Sequence, residues 1–182
     1  MNGVPLTETP LPYGLRDVKL TPNTNGTLGT AVDLPNAQTL SFEETEDFET
    51  LRGDDRDVAT RGKGPAVNWS LESGGVSLEA LAALTGGTVA STGTTPAQVK
   101  TFTKKSTDAR PTFQVEGQSM SESGGDFHAV LPRCKVTGSI TGDMADGAFW
   151  ISKADGTAIG NYSTDDLFKF VQNETAVDID ES

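Results

Sequence analysis

Apolar and polar residues alternate along most of this chain, and helical periodicity is rare. The clearest run is "AVNWSLES". Val67, Trp69 and Leu71 share one face, while Asn68, Ser70 and Glu72 share the other. That period of two describes a strand with one buried and one wet face. "TLSFEE" repeats the pattern, with Leu40 and Phe42 on the buried side. "YGLRDVKLTP" predicts a first strand from Tyr13 to Pro22, anchored by Leu15, Val18 and Leu20. "TAVDLP", "QVKTFTKK", "PTFQVEGQSM", "FHAVLPRCKVTGSI" and "GAFWISKA" read as further strands, with Phe113, Phe149 and Ile151 as core anchors. Asp155-Gly156 carries the signal of a two-residue hairpin turn. "DDLFKFVQNE" fits two readings: Leu167, Phe170 and Val171 make a helix face, and Phe168 and Phe170 make a strand face.

One segment, "SLEALAALTGG", is helical in pattern and predicts a helix over about 77–85. Ser77 can cap its start, and Glu79 suits the positive end of the helix dipole. Leu78, Leu81 and Ala82 form an apolar stripe, and Gly86 or Gly87 ends the helix. Many strands with one short flanking helix predict a mainly β fold, an antiparallel β-sandwich or partly closed barrel. No internal repeat or linker divides the chain. The expectation is one domain over 1–182, with an N-terminal arm at 1–12 and an acidic, frayed end at 176–182.

Composition narrows the function classes. Apolar residues make up 35% of the chain, with 20 Gly and 9 Pro, which suits a modest core and many turns. The net charge of −12 argues against a surface for nucleic acid or anionic lipid, since both need Lys and Arg. The start has neither the basic residues nor the apolar run of a signal peptide, and no stretch has the length of a membrane helix. Cys134 is alone, so no intrachain disulfide forms, which fits a reducing cytoplasm.

Candidate chemistry is sparse. "RGKGP" lacks P-loop spacing, and Pro65 stands where a helix should begin. "GDDRD" offers Asp54, Asp55 and Asp57, but Arg56 sits among them and the ligand spacing of a calcium loop is missing. His128 is the only histidine and meets Cys134 only across a turn at Pro132. Cys134 reads as a small core residue and His128 as a wet-face strand residue. No stretch sets two acids among apolar neighbours. Trp69 and Trp150 read as core, not as a sugar platform. The expectation is therefore no catalytic residue, no cofactor and no metal.

"ETLRGDDRDVATRGKGP" remains to be explained. Strand signals flank it, which predicts a long hairpin arm over about 49–66. Its residues are Leu51, Arg52, Asp54, Asp55, Arg56, Asp57, Arg61 and Lys63. Exposed ion pairs contribute only about 0–1 kcal/mol each. Such an arm gains more against a complementary partner, where charge sets register and specificity.

"YGLRDVKLTP" and "TLSFEETEDFETLRGDDRDVATRGKGPAVNWSLESGGVSLEALAALTGGT" resemble the major tail tube proteins of non-contractile, long-tailed bacteriophages, particularly those of actinobacteria. "RPTFQVEGQ", "GGDFHAVLPRCKVTGSI", "DGAFWISKADGTAI" and "DDLFKFVQNETAV" are similar to the same family in order and spacing. The resemblance runs from about Tyr13 to Val177, and the ordered set is more specific than any member. It implies a structural virion protein and favours a strand in "DDLFKFVQNE". Six subunits would close into a ring, and rings would stack into a tube for genome ejection. The hairpin arm would reach a neighbouring subunit or ring. The implied partners are the chain itself, a tape measure protein in the bore and a tail terminator at the end. Genomic DNA would pass without specific binding, repelled by acidic charge over roughly a Debye length of 8 Å. Assembly would take place in the host cytoplasm. Alternatives are a terminator or other ring-forming tail component, or a soluble β-sandwich binding module.

Overall fold

A computed structural model describes residue 6 and residues 9–179 of the chain. Most of the expected N-terminal arm, and the last three residues, lie outside the described residues. Alternation produces the expected result: the fold is mainly β. The strands are β1 (Pro12–Thr24), β2 (Thr27–Leu28), β3 (Val32–Asp33), β4 (Ala37–Gly53), β5 (Arg56–Gly74), β6 (Thr88–Thr92) and β7 (Val99–Thr103). They continue with β8 (Phe113–Ser121), β9 (Asp126–Lys135), β10 (Ile140–Thr141), β11 (Ile151–Ala158) and β12 (Lys169–Asn173). Among the described residues one α-helix, α1 (Leu78–Thr85), follows β5.

One large antiparallel sheet runs β2-β1-β8-β9-β11-β5-β4. β3 pairs with β1, β10 with β11, and β12 with β9. The sheet curls so that β4 side chains reach β8: a Cβ on Gly117 would strike the Leu40 side chain. It does not close into a barrel, since no pairing among the described residues joins β4 to β1 or β2. β6 and β7 form a separate two-stranded sheet. β6 escapes the sequence reading because "TVAST" has little apolar alternation to show.

The core lies where the alternation put it. Val18, Leu20, Val67, Trp69, Leu71, Phe113 and Val115 are buried together, and Leu40 and Phe42 pack half-buried against them. Trp69 meets Phe113 edge to face, with ring centroids 5.7 Å apart. Burying each such large apolar side chain contributes roughly 1.5–3 kcal/mol. At the rim, Phe170 stacks with Phe42, Phe127 and Phe168. The strand reading of "DDLFKFVQNE" therefore holds for Lys169–Asn173, while the residues before it form a loop.

Four expectations need correction. Asp155-Gly156 is not a turn. It lies inside β11, with Gly156 paired to Trp69 of β5. A Cβ at Gly156 would strike the Trp69 indole and the Lys135 carbonyl, so glycine is there for close approach. Phe149 is 97% exposed and Ile151 is also exposed. β11 starts only at Ile151, so the alternation in "GAFW" has no sheet to point into. Trp150 likewise sits outside the strand, half-buried, against Gly142. In α1 the buried residues are Ala80, Ala83 and Leu84, with Leu78 and Leu81 only half-buried. Small alanines let the helix backbone sit close to the sheet. The Ser77 cap, which accepts from the Ala80 N–H, and the left-handed stop at Gly86 are as expected. Finally, the acidic end is not frayed through its described part: Ile179 is buried, and Val177 is hydrogen-bonded on both backbone sides.

Candidate functional site

The hairpin β4–β5 is the feature that the rest of the fold does not explain. β5 pairs with β11 only from Val67 to Gly74. Between Arg56 and Ala66 it has only β4 beside it. A two-stranded ribbon therefore leaves the sheet and runs for roughly 35 Å at about 3.3 Å per residue. Its end is a tight turn in which Asp54 (φ 51°) and Asp55 (φ 60°) are both left-handed. That is the backbone of a type I′ turn, which matches strand twist and which Asp tolerates better than most residues.

All eight arm residues named from the sequence lie on this ribbon and are exposed. Arg52 bonds Asp57 across the strands at 2.7 Å, and Lys63 lies 3.9 Å from Glu49. Thr50 and Thr60 face each other, and Phe48 lies over Gly62. Arg56 and Arg61 make no ion pair among the described residues. Phe48, Leu51 and Val58 are each at least 60% exposed. An isolated two-stranded hairpin is marginal in water, and these ion pairs add little. The ribbon is thus a charge-patterned finger with a few exposed apolar side chains, and beyond its own two strands it pairs with nothing among the described residues.

A second site was not legible from the sequence. His128 is 1% exposed, not on a wet face. Its Nδ1 lies 2.9 Å from Glu116 Oε1 and its Nε2 lies 2.9 Å from Asp126 Oδ2. Gln118 Nε2 donates to the same Asp126 oxygen at 2.6 Å and to the Val177 carbonyl at 2.8 Å. The Val177 N–H donates to Asp126 Oδ2 at 2.9 Å. β8 and β9 place these four side chains on one face, since Gln118 pairs with His128 and Glu116 with Val130. The residues after β12 then cover that face. Two acids therefore do stand in a buried setting, which no local stretch could reveal because they come from different strands. The available signal was the alternation Glu116, Gln118 and Asp126, His128 at spacing two.

The cluster is a buried salt bridge wherever His128 is protonated. Burial by itself pulls the His128 pKa down, but hydrogen bonds and charges from Glu116 and Asp126 outweigh that and raise it. Burial pushes Asp126 up, but hydrogen bonds from His128, Gln118, the Val177 N–H and Asn173 bring it below the ordinary value. The raised His128 contributes stability that is complete below about pH 6.5 and is lost as pH rises through its folded pKa. The lowered Asp126 contributes stability that is present above about pH 3.9 and is lost as pH falls through its folded pKa. Urea midpoints across pH are expected to peak in the mildly acidic range and to decline as pH rises past His128. A midpoint unchanged from pH 6 to 9 would refute this.

As a chemical site the cluster is closed. Both ring nitrogens of His128 face carboxylates inside the protein. β9 runs unbroken through Pro132, so His128 and Cys134 are about 20 Å apart along one strand, not across a turn. Burial raises the Cys134 thiol well above its ordinary pKa, with partial offset from a Val115 backbone hydrogen bond. Among the described residues, no group of three or more His, Cys, Asp or Glu is arranged to hold a metal ion. No protein-family model matches the chain, and no curated protein matches it significantly.

Proposed function

We propose that this chain is the tube subunit of a non-contractile bacteriophage tail, building stacked, six-membered rings through which the genome leaves. The observation that carries the reading is the free β4–β5 ribbon. It holds exposed Phe48, Leu51 and Val58 with unpaired arginines, on a fold whose own core does not need it. Leu51 and Val58 lie on one face of the ribbon and Phe48 on the other, and large apolar side chains left in water on a projecting element suit an interaction site. The open sheet edges at β4 and β2 point the same way, because assembly would use edges that are otherwise an aggregation hazard. A net charge of −12 per subunit suits a conduit that must not bind the phosphates passing through it. The tape measure protein and a tail terminator are the further partners of this reading.

Negative-stain electron microscopy of the purified, concentrated protein tests it. Long hollow tubes of uniform width are expected. Isolated rings would shift the assignment to a terminator. Small monodisperse particles at every concentration would count against self-assembly and favour a soluble binding module.

A further inference from the structure

The residues after β12 cross the His128 face of β8 and β9, and residues 174–178 add no strand or helix there. Glu174, Thr175, Ala176 and Asp178 are exposed, whereas Val177 is half-buried and Ile179 is buried. The segment starts close over Gly125, where an added Cβ would strike the carbonyls of Asn173 and Glu174. It is then held at Val177, whose N–H donates to Asp126 Oδ2 at 2.9 Å and whose carbonyl accepts from Gln118 Nε2 at 2.8 Å. A segment with so few buried side chains opens more readily than the strands beneath it.

One atom links this segment to the histidine. Asp126 Oδ2 accepts from the Val177 N–H and from Gln118 Nε2, and it lies 2.9 Å from His128 Nε2. The other ring nitrogen, Nδ1, lies 2.9 Å from Glu116 Oε1. Two ring nitrogens set against two carboxylates are both satisfied only in the imidazolium, which donates from each. A neutral ring keeps one bare lone pair, and here it would face a carboxylate oxygen in a buried setting. If it faces Asp126, the shared oxygen is pushed away. If it faces Glu116, the ring is pushed off-centre and its bond to the shared oxygen weakens.

The remaining charges on this face stand further out. Asp17 and Lys19 of β1 lie beyond β8, with Lys19 3.6 Å from Asp17 and 3.7 Å from Asp33. Lys169 of β12 is in register with Val130 and is exposed. Glu174 and Asp178 of the segment itself point to solvent. His128 is the only histidine of the chain, and histidine is the side chain whose charge ordinarily changes between about pH 5 and 8. Burial opposes its charge, but Glu116 and Asp126 outweigh burial and raise its pKa. The hold is therefore complete below about pH 6.5 and is lost as pH rises through the folded value.

We propose that residues 174–179 form a pH-operated clasp: protonated His128 holds it down on β8 and β9, and loss of that proton releases it while the sheet stays folded. The clasp is independent of the tube reading, since every group in it belongs to one chain.

Hydrogen exchange read by mass spectrometry tests it on the intact chain. Rates are expressed as protection against an unstructured peptide at the same pH, which removes the intrinsic pH dependence. Between about pH 6 and about pH 9, the peptide holding Val177 should lose protection by about tenfold or more. The peptide holding Trp69 and Leu71 should keep its protection over the same range. Constant protection at Val177, or none at about pH 6, would overturn the clasp. Loss at Val177 in step with Trp69 and Leu71 would also overturn it, because the change would then belong to the whole fold. His128→Gln is neutral at every pH and should remove the pH dependence at Val177. A folded His128→Gln chain that keeps the dependence would overturn the role of His128, and if that variant does not fold, the exchange of the intact chain decides alone.

Discussion

Replacing Leu51–Pro65 with a short Gly-Ser turn is expected to leave a folded monomer that no longer assembles. The segment lies beyond the point where β5 leaves β11, and its side chains touch nothing in the core. Val67, Trp69 and Leu71 keep every neighbour they have. The segment adds no core burial and a two-stranded ribbon is marginal by itself, so the urea midpoint should stay close to that of the intact chain. Assembly should fail outright, because the exposed Phe48 loses its ribbon and Leu51, Val58 and both unpaired arginines are gone. Sedimentation velocity should show a single small species at concentrations where the proposed assembly of the intact chain gives large particles. Normal tubes from the shortened chain would remove the ribbon from the assembly mechanism.

His128→Ala is expected to destabilise the fold by about 3–5 kcal/mol, the range for removing one partner of a buried ion pair. The loss is more than one contact. Glu116 and Asp126 would remain buried without the imidazole that each of them meets. Asp126 also bonds the Val177 N–H, so the covering of β8 by the residues after β12 should loosen at the same time. The pH profile gives a second readout. Without the imidazole, no decline should remain above about pH 6.5. Equal stability of the variant and the intact chain at pH 6 would show that the cluster is solvated rather than buried.

What was legible in the sequence was what local spacing controls. A period of two along "AVNWSLES" and "YGLRDVKLTP" is enough to place Val67, Trp69, Leu71, Val18 and Leu20 in a core, because a strand alternates its side chains whatever its neighbours are. The helix caps at Ser77 and Gly86 were legible for the same reason: they act on backbone groups within a few residues. The ribbon was visible because strand signals flank a charged stretch with turn residues at its centre.

Misreadings arose where two segments far apart had to meet. Asp155-Gly156 has the chemistry of a turn, yet β5 pairs along the whole of β11, and the Trp69 indole needs the space that glycine leaves. "GAFW" has the alternation of a strand but no partner strand, so Phe149 is left in water. His128 reads as a wet-face residue from its own strand. Only the pairing of β8 with β9, and the return of residues 176–179 over them, makes that face an interior. The sequence by itself determined most of the strands, the helix and the existence of an arm, since those depend on hydrophobic period and turn chemistry. The tertiary structure alone decided which polar residues became buried and which apolar residues stayed exposed. Those outcomes depend on which strands become neighbours and where the sheet ends.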